Sequence, residues 1–290
     1  MKIRGVEAII SPRRAHFVGD GFKVHNFIPS NPLLSMERMN PFLILDYNAK
    51  TYFPPSDTPR GVGVHPHKGF ETVTIAYKGS VAHNDSTGAG GVIYPGDVQW
   101  MSAASGVLHK EFHEEHFSKQ GGYFQMVQLW VNLSAANKKT EPKYQSITNE
   151  MLAKYQLEED KGTIEVIAGA YKAAKGPTST YSPVHLMNAK LNEGAKADFS
   201  FPANYNTALV IIEGEVKVNG KEVPTDYFVL LDNDGEEFVV EATTDALVLV
   251  MSGEPIDEPI VSHGPFVMNT EEEIVEAIND FNAGKFGKLA

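Results

Sequence analysis

The chain has 290 residues with 42% hydrophobic and 21% charged side chains, a soluble-globular composition long enough for two domains. It contains no cysteine, which excludes disulfides, zinc–thiolate and iron–sulfur centres and thiol catalysis, so any metal must be held by nitrogen and oxygen ligands. The formal net charge of −12 disfavours nucleic-acid phosphates while leaving a basic protein partner admissible.

In chain order, the N-terminus Met1-Lys2-Ile3-Arg4-Gly5-Val6-Glu7 lacks the apolar core of a secretory signal, and no apolar run is long enough to cross a bilayer. The default compartment is therefore the cytoplasm. Short apolar or alternating runs follow at 72–77, 124–133, 208–212, 227–231 and 246–251, separated by Gly, Pro, Asn and Asp. Val, Ile, Thr and aromatic residues dominate them, so the prediction is an all-β protein built as a sandwich or barrel. The polar stretch 134–142 reads as a linker. A weak helix is expected at 148–156. A firmer one is expected at 270–281, where Thr270 and Glu273 form a capping box and Ile274, Ala277, Ile278 and Phe281 share one face.

A faint repeat joins the halves. Tyr77-Lys78-Gly79-Ser80-Val81 matches Ile212-Glu213-Gly214-Glu215-Val216, and Pro95-Gly96-Asp97-Val98 matches Pro224-Thr225-Asp226-Tyr227. Two similar barrels are therefore expected, at about 1–138 and 139–290, the second carrying the helical tail.

Six of the ten histidines lie between residues 65 and 116. His65 and His67 flank Pro66; His109 and Glu111 flank Lys110. On a strand, residues two apart share a face, so each pair can project into one barrel interior. Three imidazoles and a carboxylate suit a first-row divalent metal and leave positions open for oxygen or substrate. The alternative is that these are hydrogen-bonded or surface histidines. Counted from Gly79 and Asp97, the equivalent second-barrel positions are Ser200, Pro202, Phe238 and Val240, none a good ligand, so one metal per chain is expected. His185 and His263 are expected to be hydrogen-bonded or exposed. Gly88-Ala89-Gly90-Gly91 is read as a hairpin turn, His113–His116 as a polar loop, and His83 with Asp85 as surface.

The run His65-Pro66-His67-Lys68-Gly69-Phe70-Glu71-Thr72-Val73-Thr74 resembles the signature of the pirin family of the cupin superfamily. So do Gly91–Met101, Gly106-Val107-Leu108-His109-Lys110-Glu111 and Gln128-Leu129-Trp130-Val131-Asn132-Leu133. Asn40–Asp46 and the looser runs Gly253–Ile256 and His263–Asn269 extend it. The resemblance implies a bicupin, two antiparallel jelly-roll barrels, whose N-terminal barrel holds one metal through His65, His67, His109 and Glu111. Iron(II) is the expected metal, with nickel, copper, manganese, cobalt and zinc chemically admissible. Lys68 stands where arginine is common, and Lys110 where a small residue is common. The implied activity is oxygenative cleavage of a flavonol such as quercetin, with Glu111 as general base and an apolar cavity that includes Phe70. The alternative is a metal- or redox-sensing regulator that binds a transcription factor or metabolic enzyme.

Overall fold

The computed structural model describes residues 2–289. The chain is mostly β and divides into two compact units, residues 14–149 with 256–290, and residues 1–13 with 150–255. These are not the contiguous halves expected from the repeat. The strand Val6–Ile10 pairs with Phe228–Leu231 and so edges a sheet of the second unit. Lys143–Ile147 pairs with Val98–Ser102 and edges a sheet of the first. Backbone pairing, which needs a free sheet edge, decides where these segments belong; sequence proximity does not.

Each unit has the same plan. In the first, Lys143–Ile147, Val98–Ser102, Phe70–Lys78, Gly122–Asn132, Phe42–Phe53, Phe22–Ile28 and His16–Val18 lie side by side in one antiparallel sheet. A four-stranded sheet holds Gly61–His67, Val107–His113, Val81–Asp85 and Gly90–Ile93. The second unit repeats this with Val6–Ile10, Phe228–Leu231, Asn206–Glu213, Ala246–Gly253, Val184–Leu191, Gly162–Ala168 and Ala153–Gln156. Its four-stranded sheet holds Lys196–Ser200, Glu237–Ala242, Val216–Val218 and Lys221–Val223. The repeated glycines sit at the same turn, Gly79 at φ +72° and Gly214 at φ +75°, a left-handed conformation that penalises a side chain.

The C-terminal helix spans Glu271–Asn282, and Thr270 Oγ1 accepts from the Glu273 amide as the capping box requires. It packs within the first unit. The expected helix at 148–156 is instead one 3-10 turn, Asn149–Met151, followed by the strand Ala153–Gln156. Strand pairing with Gly162–Ala168 overrides the weak helical pattern. The expected linker 134–142 is anchored by Lys138, which is buried. Its Nζ donates to the Gly69 and Val267 carbonyls and to Asn132 Oδ1. Burial pulls its pKa down to about 7, while three acceptors suit the ammonium form.

Candidate metal centre

The two histidine pairs meet because their strands do. Gly61–His67 and Val107–His113 are antiparallel neighbours, with His65 opposite His109 and His67 opposite Val107. The register slips by one residue between His109 and Glu111, which faces Val62. The ring centroids lie 4.2 Å apart for His65 and His109, 4.6 Å for His67 and His109, and 4.9 Å for His65 and His67. One nitrogen from each ring falls in a group whose members are all within 4.8 Å of one another.

Hydrogen bonding indicates which nitrogens are free. His65 Nδ1 donates to the Gly63 carbonyl at 2.8 Å, which leaves the Nε2 lone pair. His67 is hydrogen-bonded to the backbone of Pro265, which can only accept, while its Nδ1 has no protein partner. His109 Nδ1 lies 3.1 Å from His83 Nε2, and His109 Nε2 has no partner. Burial holds His67 well below the ordinary histidine pKa of 6.5, reinforced by His65. Burial does the same to His109, reinforced by His67. Neutral imidazoles with converging lone pairs repel one another without a cation between them, and they are the protonation state a metal needs. The donor set therefore fits a divalent metal.

Glu111 stands apart from that group. It is buried, and Gln128 Nε2 donates to both of its oxygens, at 2.9 Å to Oε2 and 3.2 Å to Oε1. Thr74 Oγ1 approaches Oε1 at 3.4 Å. Glu111 and His65 line one cavity of about 30 Å³, with Asp46, Asn48, Gln128 and an apolar wall that includes Val18, Phe22 and Met126. Phe70 is not in that wall. It stacks on Trp130 at 4.0 Å and meets the His67 ring at 5.1 Å.

Several expectations are corrected. His83 and Asp85 are not surface groups: they are 0% and 3% exposed. His83 orients His109 and stacks on Tyr144 at 5.3 Å. Asp85 Oδ1 accepts from the Thr87 and Ala89 amides and shapes the Gly-rich hairpin, which is the turn expected. His113 is no loop residue either. It ends its strand inside a box with Phe22, Phe53, Phe117 and Phe124, and its Nε2 bonds the Gly21 carbonyl. Glu114 caps the helix Glu115–Gln120, and only Glu115 and His116 of that run face solvent. Lys68 is buried and paired with Asp280 at 2.8 Å. His185 bonds the Ala170 backbone and His263 is exposed, as expected. Gln128 was not anticipated. Its signal is a polar residue set between Val127 and Leu129 within a strand.

The position count into the second barrel lands on the wrong face of one strand. Ser200 and Pro202 are exposed, and the inward residues are Phe199 and Phe201. The stretch leading to Gly214 is one residue longer than the one leading to Gly79, and one residue reverses every side chain. Phe199 faces Phe238 across the strand pair and stacks on it at 5.1 Å. Among the described residues, the His65, His67 and His109 group is the one found that could hold a metal.

The pirin family profile matches residues 21–131, and that of the pirin C-terminal cupin domain matches residues 186–287. The chain belongs to the pirin family. A Pseudomonas aeruginosa protein named "Putative quercetin 2,3-dioxygenase" is 45% identical over 284 residues, covering 98% of this chain and 99% of that one. Human pirin is 34% identical over 258 residues, covering 87% of this chain and 84% of that protein. The crystal structure of quercetin 2,3-dioxygenase from Acinetobacter baumannii superposes with a TM-score of 0.93 at 46% identity, covering 100% of both chains. This pirin is thus a bicupin with a histidine cluster able to hold a metal, and no helix of the described residues is long and apolar enough to cross a membrane.

Proposed function

We propose that this pirin is a metal-dependent dioxygenase that cleaves a flavonol such as quercetin at one mononuclear centre in the barrel formed by residues 14–149. The carrying observation is the set of three imidazoles with ligand nitrogens within 4.8 Å of one another, one of which, His65, shares a cavity with Glu111. His65, His67 and His109 hold the metal, with Glu111 as fourth ligand or as the base beside it. Iron(II) is the first candidate. A divalent metal held by these residues would supply Lewis acidity, lowering the pKa of a flavonol hydroxyl. Glu111 takes the enol proton. Gln128 holds the carboxylate in place through two hydrogen bonds. Oxygen addition then opens the central ring, with loss of carbon monoxide.

A second reading, a metal- or redox-sensing regulator with a protein partner, is favoured by the cavity size. About 30 Å³ is room for a water or an oxygen molecule. A drug-sized ligand needs about 300 Å³ or more, so a flavonol enters only if the wall containing Val18 and Phe22 moves.

Both readings meet one experiment. Purified protein is assayed for metal by mass spectrometry, and for oxygen-dependent loss of quercetin with release of carbon monoxide, beside the double variant H65A/H109A. About one metal per chain with turnover that vanishes in the variant supports the enzyme. Metal without turnover of any flavonol supports the regulator. Equal metal in both proteins overturns the site.

A further inference from the structure

Asn48 lines the cavity that also holds His65 and Glu111, yet it is 1% exposed and neither its Oδ1 nor its Nδ2 has a hydrogen-bond partner in the protein. It comes from the strand Phe42–Phe53 and sits opposite Met126, another wall residue. An unpaired buried primary amide costs free energy on both its donor and its acceptor side. A leucine would fill the same space without that cost. The neighbouring polar groups are already engaged: Gln128 donates to Glu111, and Asp46 accepts from Asn26. Asn48 is the cavity group whose hydrogen-bonding capacity stays wholly open. Once the wall of Val18 and Phe22 moves to admit a ligand, a group that offers a donor and an acceptor together beside Met126 matches a hydroxyl on an aromatic ring.

We propose that Asn48 is a specificity-determining residue that reads a second hydroxyl of a polyhydroxylated aromatic substrate, distinct from the oxygen the metal would take. This inference rests on the dioxygenase reading. A site built to hydrogen-bond a hydroxyl discriminates against an analogue that lacks it, because the site is then left unpaired. Selectivity, more than rate alone, is therefore what Asn48 controls.

The test compares wild type with Asn48→Leu and Asn48→Asp, all metal-loaded. Quercetin is set against 3-hydroxyflavone, which keeps the oxygen for the metal and lacks the remaining hydroxyls. Dissociation constants come from anaerobic fluorescence quenching, kcat and KM from aerobic absorbance, and melting temperatures check the fold. The expected result is a wild-type preference for quercetin that falls about tenfold in Asn48→Leu, the worth of one net hydrogen bond. The loss appears in Kd and KM, 3-hydroxyflavone is little affected, and the melting temperature is unchanged or higher. Asn48→Asp, which keeps the acceptor and loses the donor, should retain part of the preference. Turnover with unchanged selectivity in both variants overturns the role of Asn48 and leaves the dioxygenase standing. Unchanged selectivity with a lowered melting temperature assigns Asn48 to a buried water and also overturns it. Failure of wild type to bind or consume either compound overturns both.

Discussion

The two barrels share a strand plan and differ in what they turn inward. Across the large sheet of the first, Asp46, Gln128, Thr74 and Gln99 stand side by side in one row. The matching row of the second is Met187, Val250, Leu209 and Val229, all buried. On the facing strands, His65, His67, His109 and Glu111 correspond to Phe199, Phe201, Phe238 and Val240. One sequence plan thus gives a polar interior that hydrogen-bonds a carboxylate beside three open imidazoles, and an apolar interior that only packs. Metal chemistry needs unpaired donors, and unpaired donors cost stability, so a duplicated fold can keep a site in one copy and a well-packed core in the other.

Removing the site itself is the largest break. H65A/H109A should abolish metal binding, read by mass spectrometry, with loss of the thermal stabilisation that added metal gives the wild type.

Carrying the polar row into the second barrel comes next. Val250→Gln buries an amide among Met187, Leu209 and their neighbours. It should cost about 1–3 kcal/mol in urea denaturation, because no partner is at hand. Little loss would mean the apolar row is not what holds that barrel.

The reverse exchange, Gln128→Val, frees the Glu111 carboxylate. Outer partners of metal sites typically change affinity by about 10–100-fold, so weaker metal binding in a competition titration is expected. His83→Phe should act similarly, by releasing His109. Unchanged affinity in both would show that packing alone orients the ligands.

A pH dependence separates the two barrels further. Burial pushes Glu71 up to about 7 from its ordinary 4.5, opposed by the Ser102 hydroxyl. The folded state therefore holds an extra proton between those values. The associated stability is full below pH 4.5 and is lost as pH rises through 7. The neutral counterpart in the second barrel is Asn206. Glu71→Gln should match wild type at low pH and exceed it increasingly up to about pH 7, followed by thermal melts across pH.

Much of this was legible in the residues. The i, i+2 histidine pairs, the repeated turn glycines and the capping box each encode a local geometry that needs no partner to be read. The roles of Gln128, His83, Asn48 and Lys138 were not. Gln128 sits between Val127 and Leu129, and Asn48 between Tyr47 and Ala49, and only the sheet says which alternate face is inward. His83 reads in sequence as a hairpin surface residue, and the pairing of its strand with that of His109 is what buries it.

The sequence alone determined the β plan, its duplication, the two closely spaced ligand pairs of the first half and the lack of a His-x-His pair in the second. Those follow from short-range periodicity and residue type. Tertiary structure decided which edge receives each terminal strand, which imidazole nitrogens stay free, and how little space lies beside Glu111. Each of these depends on contacts between residues far apart in the chain, where a shift of one residue reverses a face.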